Sequence, residues 1–197
     1  NGGTRGVEIY NAGMRGRKGD VYEGGHRVPF FIRWPDGGLG GGKDIDILAS
    51  HLDVYPTLME LCGLDQFSPS GIDGISVARA LAGPSSNTPE RFLFVRHDNG
   101  IKRDPNYVPE KYSMQSAVLS GKWRLVGGRA LYNVREDPGQ QKDISEIHPD
   151  VVGRLRRAYD RYWDQVYPET FERLRPIQIG ADMMKLKVTP LYARPEN

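Results

Sequence analysis

Glycine constrains the first part of this chain more than any other residue. Residues 1–27 hold eight of the 24 glycines and few apolar side chains. Glycine permits turns and lets the backbone approach a ligand closely, whereas it weakens a helix or a strand. We therefore expect this segment to be a loop of the kind that borders a binding site.

A short apolar run follows the glycine-rich segment. Residues 28–34 are almost continuously hydrophobic, and Pro35 and Gly37 end the run. Such continuity is typical of a strand that is buried on both faces of a parallel sheet. The run therefore predicts one strand of an α/β layer.

An amphipathic helix is predicted next, with Asp53 as its cap and Pro56 in its first turn, where a missing N–H does no harm. Apolar positions 54, 58, 61 and 62 share one face of this helix, and Gly63 ends it. Cys62 is the only cysteine, so no intrachain disulfide forms, and its apolar surroundings predict a place in the core.

Beyond a predicted linker at residues 83–89, the pattern becomes that of an antiparallel sheet. Strands are predicted at residues 91–96, 115–119, 122–126 and 129–134. Glycine turns separate the last three strands. Because Trp123 and Leu125 lie on the same face, we expect the sheet to have one buried side.

A long helix is predicted to begin at Pro149, with Asp150 favourably placed near its N-terminus. The apolar stripe of this helix consists of Val151, Leu155, Ala158, Tyr159, Tyr162 and Val166. Residues 168–197 contain four prolines and no clear period, which predicts an extended tail.

Together these elements predict an α/β fold in which part of a mixed-sheet core precedes a small antiparallel-sheet subdomain with one long packed helix. We place the core part at residues 1–88, the subdomain at residues 89–167 and the tail at residues 168–197.

Charge and hydropathy exclude some partners. The formal net charge is +2, from 27 basic and 25 acidic side chains, and gives no indication of binding to nucleic acid or to an anionic membrane. No apolar run approaches the roughly 20 residues that a membrane span requires.

The densest cluster of chemically useful side chains lies in the glycine-rich segment. Arg15, Arg17, Lys18 and Arg27 are separated by glycines. Backbone N–H groups can reach an anion where no Cβ intervenes, and a lysine adds a compact positive charge. The pattern fits an anion site, although a solvated basic loop has the same composition.

A family resemblance favours the anion site. The pattern Gly16-x-Lys18-Gly19-x-x-Tyr22-Glu23-Gly24-Gly25-x-Arg27-Val28-Pro29, followed by Trp34-Pro35, resembles the second signature region of the type I sulfatases. These enzymes belong to the alkaline phosphatase superfamily. Further resemblances follow in order at residues 50–58, 73–76, 121–125, 131–133 and 137–139. The resemblance implies that this chain is the C-terminal portion of a sulfatase.

The resemblance also assigns roles to two residues. Lys18 matches the lysine that binds the sulfate and neutralises charge on the leaving-group side. Asn1 matches the amide ligand of a divalent cation, usually Ca²⁺, whose aspartate partner precedes it in the family. Calcium is therefore expected in the parent enzyme, and we do not expect this fragment alone to bind it.

Two histidines are candidates for contact with substrate. His26 lies between Gly25 and Arg27 and can hydrogen-bond sugar or sulfate oxygens, or else serve structure alone. His97 follows a predicted strand of the subdomain, from which the family draws some substrate contacts. His51 and His148 are interpreted as local structural residues. Glu23 is expected to pair with Arg15 or Arg27 rather than to act as an acid.

The chain departs from the family at the nucleophile. Sulfatases make a formylglycine from the first residue of a Cys/Ser-x-Pro-x-Arg sequence, and no Cys or Ser of this chain begins one. Residues 87–91 have the right spacing, but Asn87 cannot become formylglycine. Without a nucleophile and a complete metal site, the fragment is expected to be inactive.

Other functions stay open. One alternative for the parent is a phosphatase or a phosphonate or phosphodiester hydrolase of the same superfamily. Another is that the chain is a non-catalytic fragment that binds sulfated glycans. Expected partners are a sulfated small molecule or glycan, the upstream part of the same polypeptide and a second copy in a homodimer, because a sheet edge and an apolar face would be exposed. The family implies a periplasmic or secreted location.

Overall fold

The computed structural model describes residues 2–64, 71–83, 90–97 and 108–172, with side chains up to residue 167. The strands are Leu93–Arg96 (β1), Ser116–Ser120 (β2), Trp123–Val126 (β3) and Ala130–Asn133 (β4). The helices are Glu23–His26 (α1), Val54–Leu61 (α2), Ala78–Ala82 (α3) and Pro149–Glu172 (α4). Short helices in the first half and a sheet with a long helix in the second agree with the predicted α/β class.

The four strands form one antiparallel meander in the order β1-β2-β3-β4. Each predicted strand is confirmed to within two residues of its bounds. The β3–β4 turn contains Gly127 and Gly128, with φ of 59° and 67°. Two successive positive φ angles are what a tight hairpin of matching twist needs, and glycine reaches them without strain.

Helix α4 covers one face of the sheet. Leu125 and Leu131 of the sheet, both fully buried, pack in one cluster with Leu155 and Tyr159 of the helix. The predicted apolar stripe is confirmed in this region, whereas Val166 is 39% exposed. The helix continues to Glu172, five residues beyond the boundary that the sequence placed at 167, and residues 173–197 lie outside the described ranges.

The opposite face of the sheet is also buried, contrary to the prediction of a single buried side. Val21 of the glycine-rich segment packs against Ala117, Val126 and Tyr132. Every residue of β2 is buried as a result. The sequence predicts a loop bordering a binding site at residues 1–27 and gives no indication of a second layer over the sheet.

The strand predicted at residues 28–34 is not formed. Residues 28–33 have no regular structure, and Trp34 pairs only with Leu39 in an isolated bridge. Val28 is 52% exposed and Phe31 is 89% exposed. A strand requires a neighbour to accept and donate its backbone hydrogen bonds, and no neighbour lies among the described residues.

Helix α2 forms as predicted, but two details differ. Cys62 is exposed rather than part of a core. Leu58, on the apolar face of the helix, is 50% exposed because no other described layer covers it. The predicted boundary near residue 88 and most of the linker at 83–89 lie outside the described residues.

Asp53 connects this region to the sheet instead of capping α2 through its side chain. Its carboxylate is fully buried and binds the Arg91 guanidinium through two contacts of 2.5 and 2.6 Å. It also accepts the backbone N–H groups of Ile75 and Ser50. Burial alone would raise the pKa of Asp53, but the hydrogen bonds from Arg91 and these amides hold it below its ordinary value.

Candidate functional site

Lys18 lies at the tip of a tight turn. The N–H of Asp20 donates to the carbonyl of Arg17 at 2.8 Å, so Lys18 and Gly19 occupy the two central positions. Gly19 has φ of +100°, which a side chain would strain. The Asp20 carboxylate accepts the Arg17 N–H at 2.9 Å and closes the turn from the other side. The Lys18 side chain is exposed at this tip.

The glycine pair of α1 allows the segment to fold back on itself. A methyl group on Gly24 would lie 2.3 Å from the carbonyl oxygen of Gly16, and one on Gly25 would lie 2.0 Å from that of Asp20. Both distances are shorter than any non-bonded contact permits. The pair is therefore required for the backbone of α1 to pack directly under the Lys18 turn.

Arg15 attaches the segment to the loop that follows β4. Its guanidinium lies over the Tyr22 ring, 3.9 Å from the centroid, and donates to the carbonyl of Gln140 at 3.0 Å. The Gln140 side chain in turn accepts the backbone N–H of Glu23 at 2.9 Å. Gln140 is fully buried and has φ of 48°, an unusual conformation for a residue other than glycine.

A buried ion pair fixes α1 to the sheet. Glu23 is 2% exposed, and its Oε1 accepts from Nε of Arg124 in β3 at 2.6 Å. The expected pairing with Arg27 is confirmed, because its Nη1 lies 3.5 Å from Oε2 of Glu23. The Arg27 side chain is mostly exposed, however. The other expected partner, Arg15, contacts Tyr22 and Gln140 instead. The main partner is thus Arg124, which was not among the predicted partners.

His26 packs inward, towards this ion pair. Its Nε2 lies 3.9 Å from Oε1 of Glu23, and 18% of its side chain is exposed. Burial lowers the pKa of His26 below its ordinary value, even though the Glu23 carboxylate acts in the opposite direction. The imidazole is therefore held in its neutral form more strongly than in an unfolded chain.

His97 joins the Lys18 turn from a distant part of the sequence. It follows β1, and its backbone N–H donates to the carbonyl of Gln115 at 3.0 Å. A methyl group on Gly19 would lie 3.6 Å from Nε2 of His97. The structure thus brings His97 beside the residue that follows Lys18, whereas His26 lies on the inner side of the same segment.

Asn1 lies outside the described residues, so its expected role as a metal ligand stays a prediction. Its neighbour Gly2 donates its N–H to the carbonyl of Gly25 at 2.8 Å. Among residues 2–64, 71–83, 90–97 and 108–172, no three His, Cys, Asp or Glu side chains are grouped so that they could hold a metal ion. A calcium site that includes Asn1 would therefore need a carboxylate cluster from outside the described residues.

The arrangement suits binding of an anion at an exposed, closely packed turn. A lysine, a histidine and closely packed glycine backbone meet there, and buried contacts hold the turn in place. Lys18, His26 and His97 stay predicted site residues, whereas the contacts of Arg124 and Gln140 that support the segment were not predicted. Arg124 alternates with apolar residues in a predicted strand, and that pattern alone could have marked it as a buried charge in need of a partner.

Within the described part of the chain, no helix is both long and apolar enough to cross a membrane.

Comparison with known proteins supports the resemblance to the sulfatases. A sequence model of the family described as Sulfatase matches residues 5–64. The chain is 29% identical over 196 residues to steryl-sulfatase of Mus musculus, a match that covers 89% of this chain and 30% of that protein. It is 38% identical over 184 residues to arylsulfatase H of Canis lupus familiaris, covering 80% of this chain and 31% of that protein.

The fold has a counterpart among solved structures. One solved structure, described in connection with the metabolism of multiple glycosaminoglycans by Bacteroides thetaiotaomicron, is similar to this chain with a TM-score of 0.51 at 21% identity. The match covers 76% of this chain and 32% of the solved chain. At that identity the likeness supports a shared fold alone. The sequence matches place the chain in the sulfatase family, and the chain spans about a third of the length of the two relatives.

Proposed function

We propose that this chain is the C-terminal portion of a sulfuric-ester hydrolase and that Lys18 binds the sulfate group of its substrate. One observation carries the proposal: His97, from the end of β1, lies against Gly19, directly beside Lys18. The two residues are far apart in sequence, and two different layers of the fold are needed to bring them together. Such convergence on an exposed, glycine-lined turn supports a binding site.

Lys18 would stabilise charge during ester cleavage. When the bond between sulfur and the bridging oxygen breaks, negative charge develops on that oxygen, and a prepositioned cation lowers the barrier. The hydrogen bonds of the Arg17–Asp20 turn hold the Lys18 backbone, so the ammonium group extends from a fixed point of the chain.

His97 and His26 would have different parts in the site. His97 is exposed next to the turn and is placed to hydrogen-bond sulfate or a hydroxyl of the alcohol moiety. His26 faces the Glu23–Arg124 pair, so it would support the segment from below and contact substrate less directly.

The nucleophile and the calcium site belong to the longer protein in this proposal. No Cys or Ser of the 197 residues begins the formylglycine sequence, and the described residues do not form a metal site. The relatives named above are sulfatases, which favours a sulfate ester over the phosphate or phosphonate ester of related enzymes. The proposed substrate is an organic sulfate, a class that includes sulfated glycans. The same proposal places the protein outside the cytoplasm.

Turnover and binding test different parts of this proposal. The purified chain with a chromogenic aryl sulfate and calcium should show no enzymatic turnover; turnover at the rate of an enzyme would contradict an inactive fragment.

Binding of the same aryl sulfate tests the role of His97. We expect His97→Ala to raise the Kd about fivefold, the loss of one ordinary hydrogen bond. His51→Ala is the control, because His51 is an exposed histidine outside the site. Equal Kd values for the two variants would remove His97 from the proposed site.

A further inference from the structure

A cavity of about 390 Å³ lies in the subdomain, apart from the Lys18 turn. It is bordered by the start of β3, the end of β4 and the segment that leads from β4 into α4. Trp123 and Asn133 are paired across β3 and β4, so the cavity lies at the end of this hairpin opposite its turn. Its volume falls in the range of small-molecule sites, roughly 300 to 1,000 Å³.

Strand alternation separates this cavity from the proposed sulfate site. Arg124 points to the face covered by the glycine-rich segment, where it binds Glu23. Its neighbour Trp123 points to the opposite face and packs against the cluster that contains α4. A ligand in the cavity would therefore not compete with one at Lys18.

One wall of the cavity is aromatic and apolar. The Trp123 ring is flanked by the His148 ring, with centroids 5.0 Å apart at 59°, and by Nζ of Lys122 at 4.9 Å from its centroid. Ile147 adds a side chain that is 68% exposed. A broad aromatic wall next to an exposed apolar side chain is suited to a ligand with a hydrophobic face.

The rest of the lining is polar and balanced in charge. Lys122 and Lys142 supply two positive charges, and Glu136 and Asp137 supply two negative ones. Glu136, Asp137 and Lys142 lie in the loop after β4, where the backbone N–H of Lys142 donates to the Asp137 carboxylate at 2.8 Å. A balanced lining has no net charge to select a free ion, but it offers donors and acceptors side by side.

We propose that this cavity binds one unit of a neutral saccharide. A pyranose ring has an apolar C–H face, which suits the exposed Ile147 side chain on the aromatic wall, and a rim of hydroxyl groups that both donate and accept. Lys142 can donate to these hydroxyls and Glu136 can accept from them. The site does not require a sulfate group, so the proposal stands or fails independently of the sulfatase activity.

Titration of the 197-residue chain tests this site. The probes are methyl β-galactoside, methyl β-glucoside and N-acetylglucosamine, each added alone, with tryptophan fluorescence as the signal. At least one should give a saturable change with a Kd on the order of 1 to 10 mM. Glu136→Ala and Lys142→Ala should each raise that Kd about fivefold or more, because each removes a hydrogen-bonding group. Both side chains are exposed, so neither variant should unfold the chain.

Control variants assign the signal. Lys43→Ala, an exposed lysine elsewhere, should leave the Kd unchanged, and Trp34→Phe should leave the fluorescence change intact. The absence of a saturable change for all three probes up to about 100 mM would overturn the proposal. It would equally be overturned if sodium sulfate alone gave the same saturable change and Lys142→Ala abolished it, since the cavity would then be an anion site.

Discussion

At the scale of single residues, the contact between Glu23 and Arg124 matters most for the site. Both side chains are buried, and their atoms approach to 2.6 Å. A buried ion pair is costly to break from one side, because the remaining charge has lost its water without a partner. We expect Arg124→Met to lower the free energy of unfolding by about 3 kcal/mol. This value is near the lower end for breaking a buried ion pair, because Arg27 can still reach Glu23. Urea denaturation measures this change.

A second variant separates charge from packing. Glu23→Gln combined with Arg124→Met removes both charges and should recover part of the loss. Arg129→Met, at an exposed position, should change stability by less than about 0.5 kcal/mol. If Arg124→Met were as mild as Arg129→Met, the ion pair would not hold the segment.

His26 predicts how stability depends on pH. Burial lowers its pKa in the folded chain from the ordinary value of 6.5, so the unfolded chain binds a proton more readily. Stability from this group is fully present above about pH 6.5 and is lost as pH falls towards the folded-state pKa. His26→Gln should therefore flatten the decline in unfolding free energy between about pH 7 and pH 5.

Urea titrations at several pH values measure how the unfolding free energy depends on pH for the wild type, His26→Gln and His51→Gln. His51→Gln is the control variant, because His51 is exposed and lies outside the contact of His26 with Glu23. An unchanged slope in His26→Gln would contradict a buried neutral imidazole.

At the scale of elements, the glycine-rich segment behaves as a folded layer. Gly25→Ala would place a methyl group 2.0 Å from the carbonyl oxygen of Asp20, so α1 would have to move away from the Lys18 turn. We expect it to destabilise the chain by about 1 to 3 kcal/mol and to expose Val21, which normally packs on the sheet.

Hydrogen exchange of the Val21 amide, together with urea unfolding, tests the effect of Gly25→Ala. Gly40→Ala is the matched control, since a methyl group there meets nothing within 4 Å and should have little effect. Similar stability of the two variants would show that the close packing under the turn is dispensable.

The elements differ in how far the sequence predicts them. Strands β1 to β4 follow from local signals, because alternation and glycine turns lie within a few residues of each other. The Glu23–Arg124 contact joins residues 101 positions apart, and no local pattern encodes such a pairing. The run at 28–34 has the composition of a buried strand, yet strand formation depends on a neighbour that is not among the described residues.

At the scale of the whole molecule, the first half exposes apolar surface. Phe31 is 89% exposed, and Phe30 and Val28 are each about half exposed in the same stretch. Adjacent exposed apolar side chains favour association, and this supports the expectation that the isolated chain dimerises. Phe31→Asp should shift the chain towards monomer in sedimentation or gel filtration at several concentrations.

Val108→Asp is the control for this shift, because it replaces an apolar side chain that is 71% exposed in another segment. A wild-type chain that stayed monomeric at every concentration would contradict the predicted association.

Whether Lys18 binds sulfate is the central question for the whole molecule, and one measurement addresses it directly. Isothermal titration of an aryl sulfate into the 197-residue chain gives the Kd for the wild type, Lys18→Ala and Lys43→Ala. Loss of a charge-assisted hydrogen bond should raise the Kd of Lys18→Ala about 10- to 100-fold, while Lys43→Ala stays at the wild-type value. Equal affinities for all three proteins, or the same decrease in both variants, would contradict a sulfate site at Lys18.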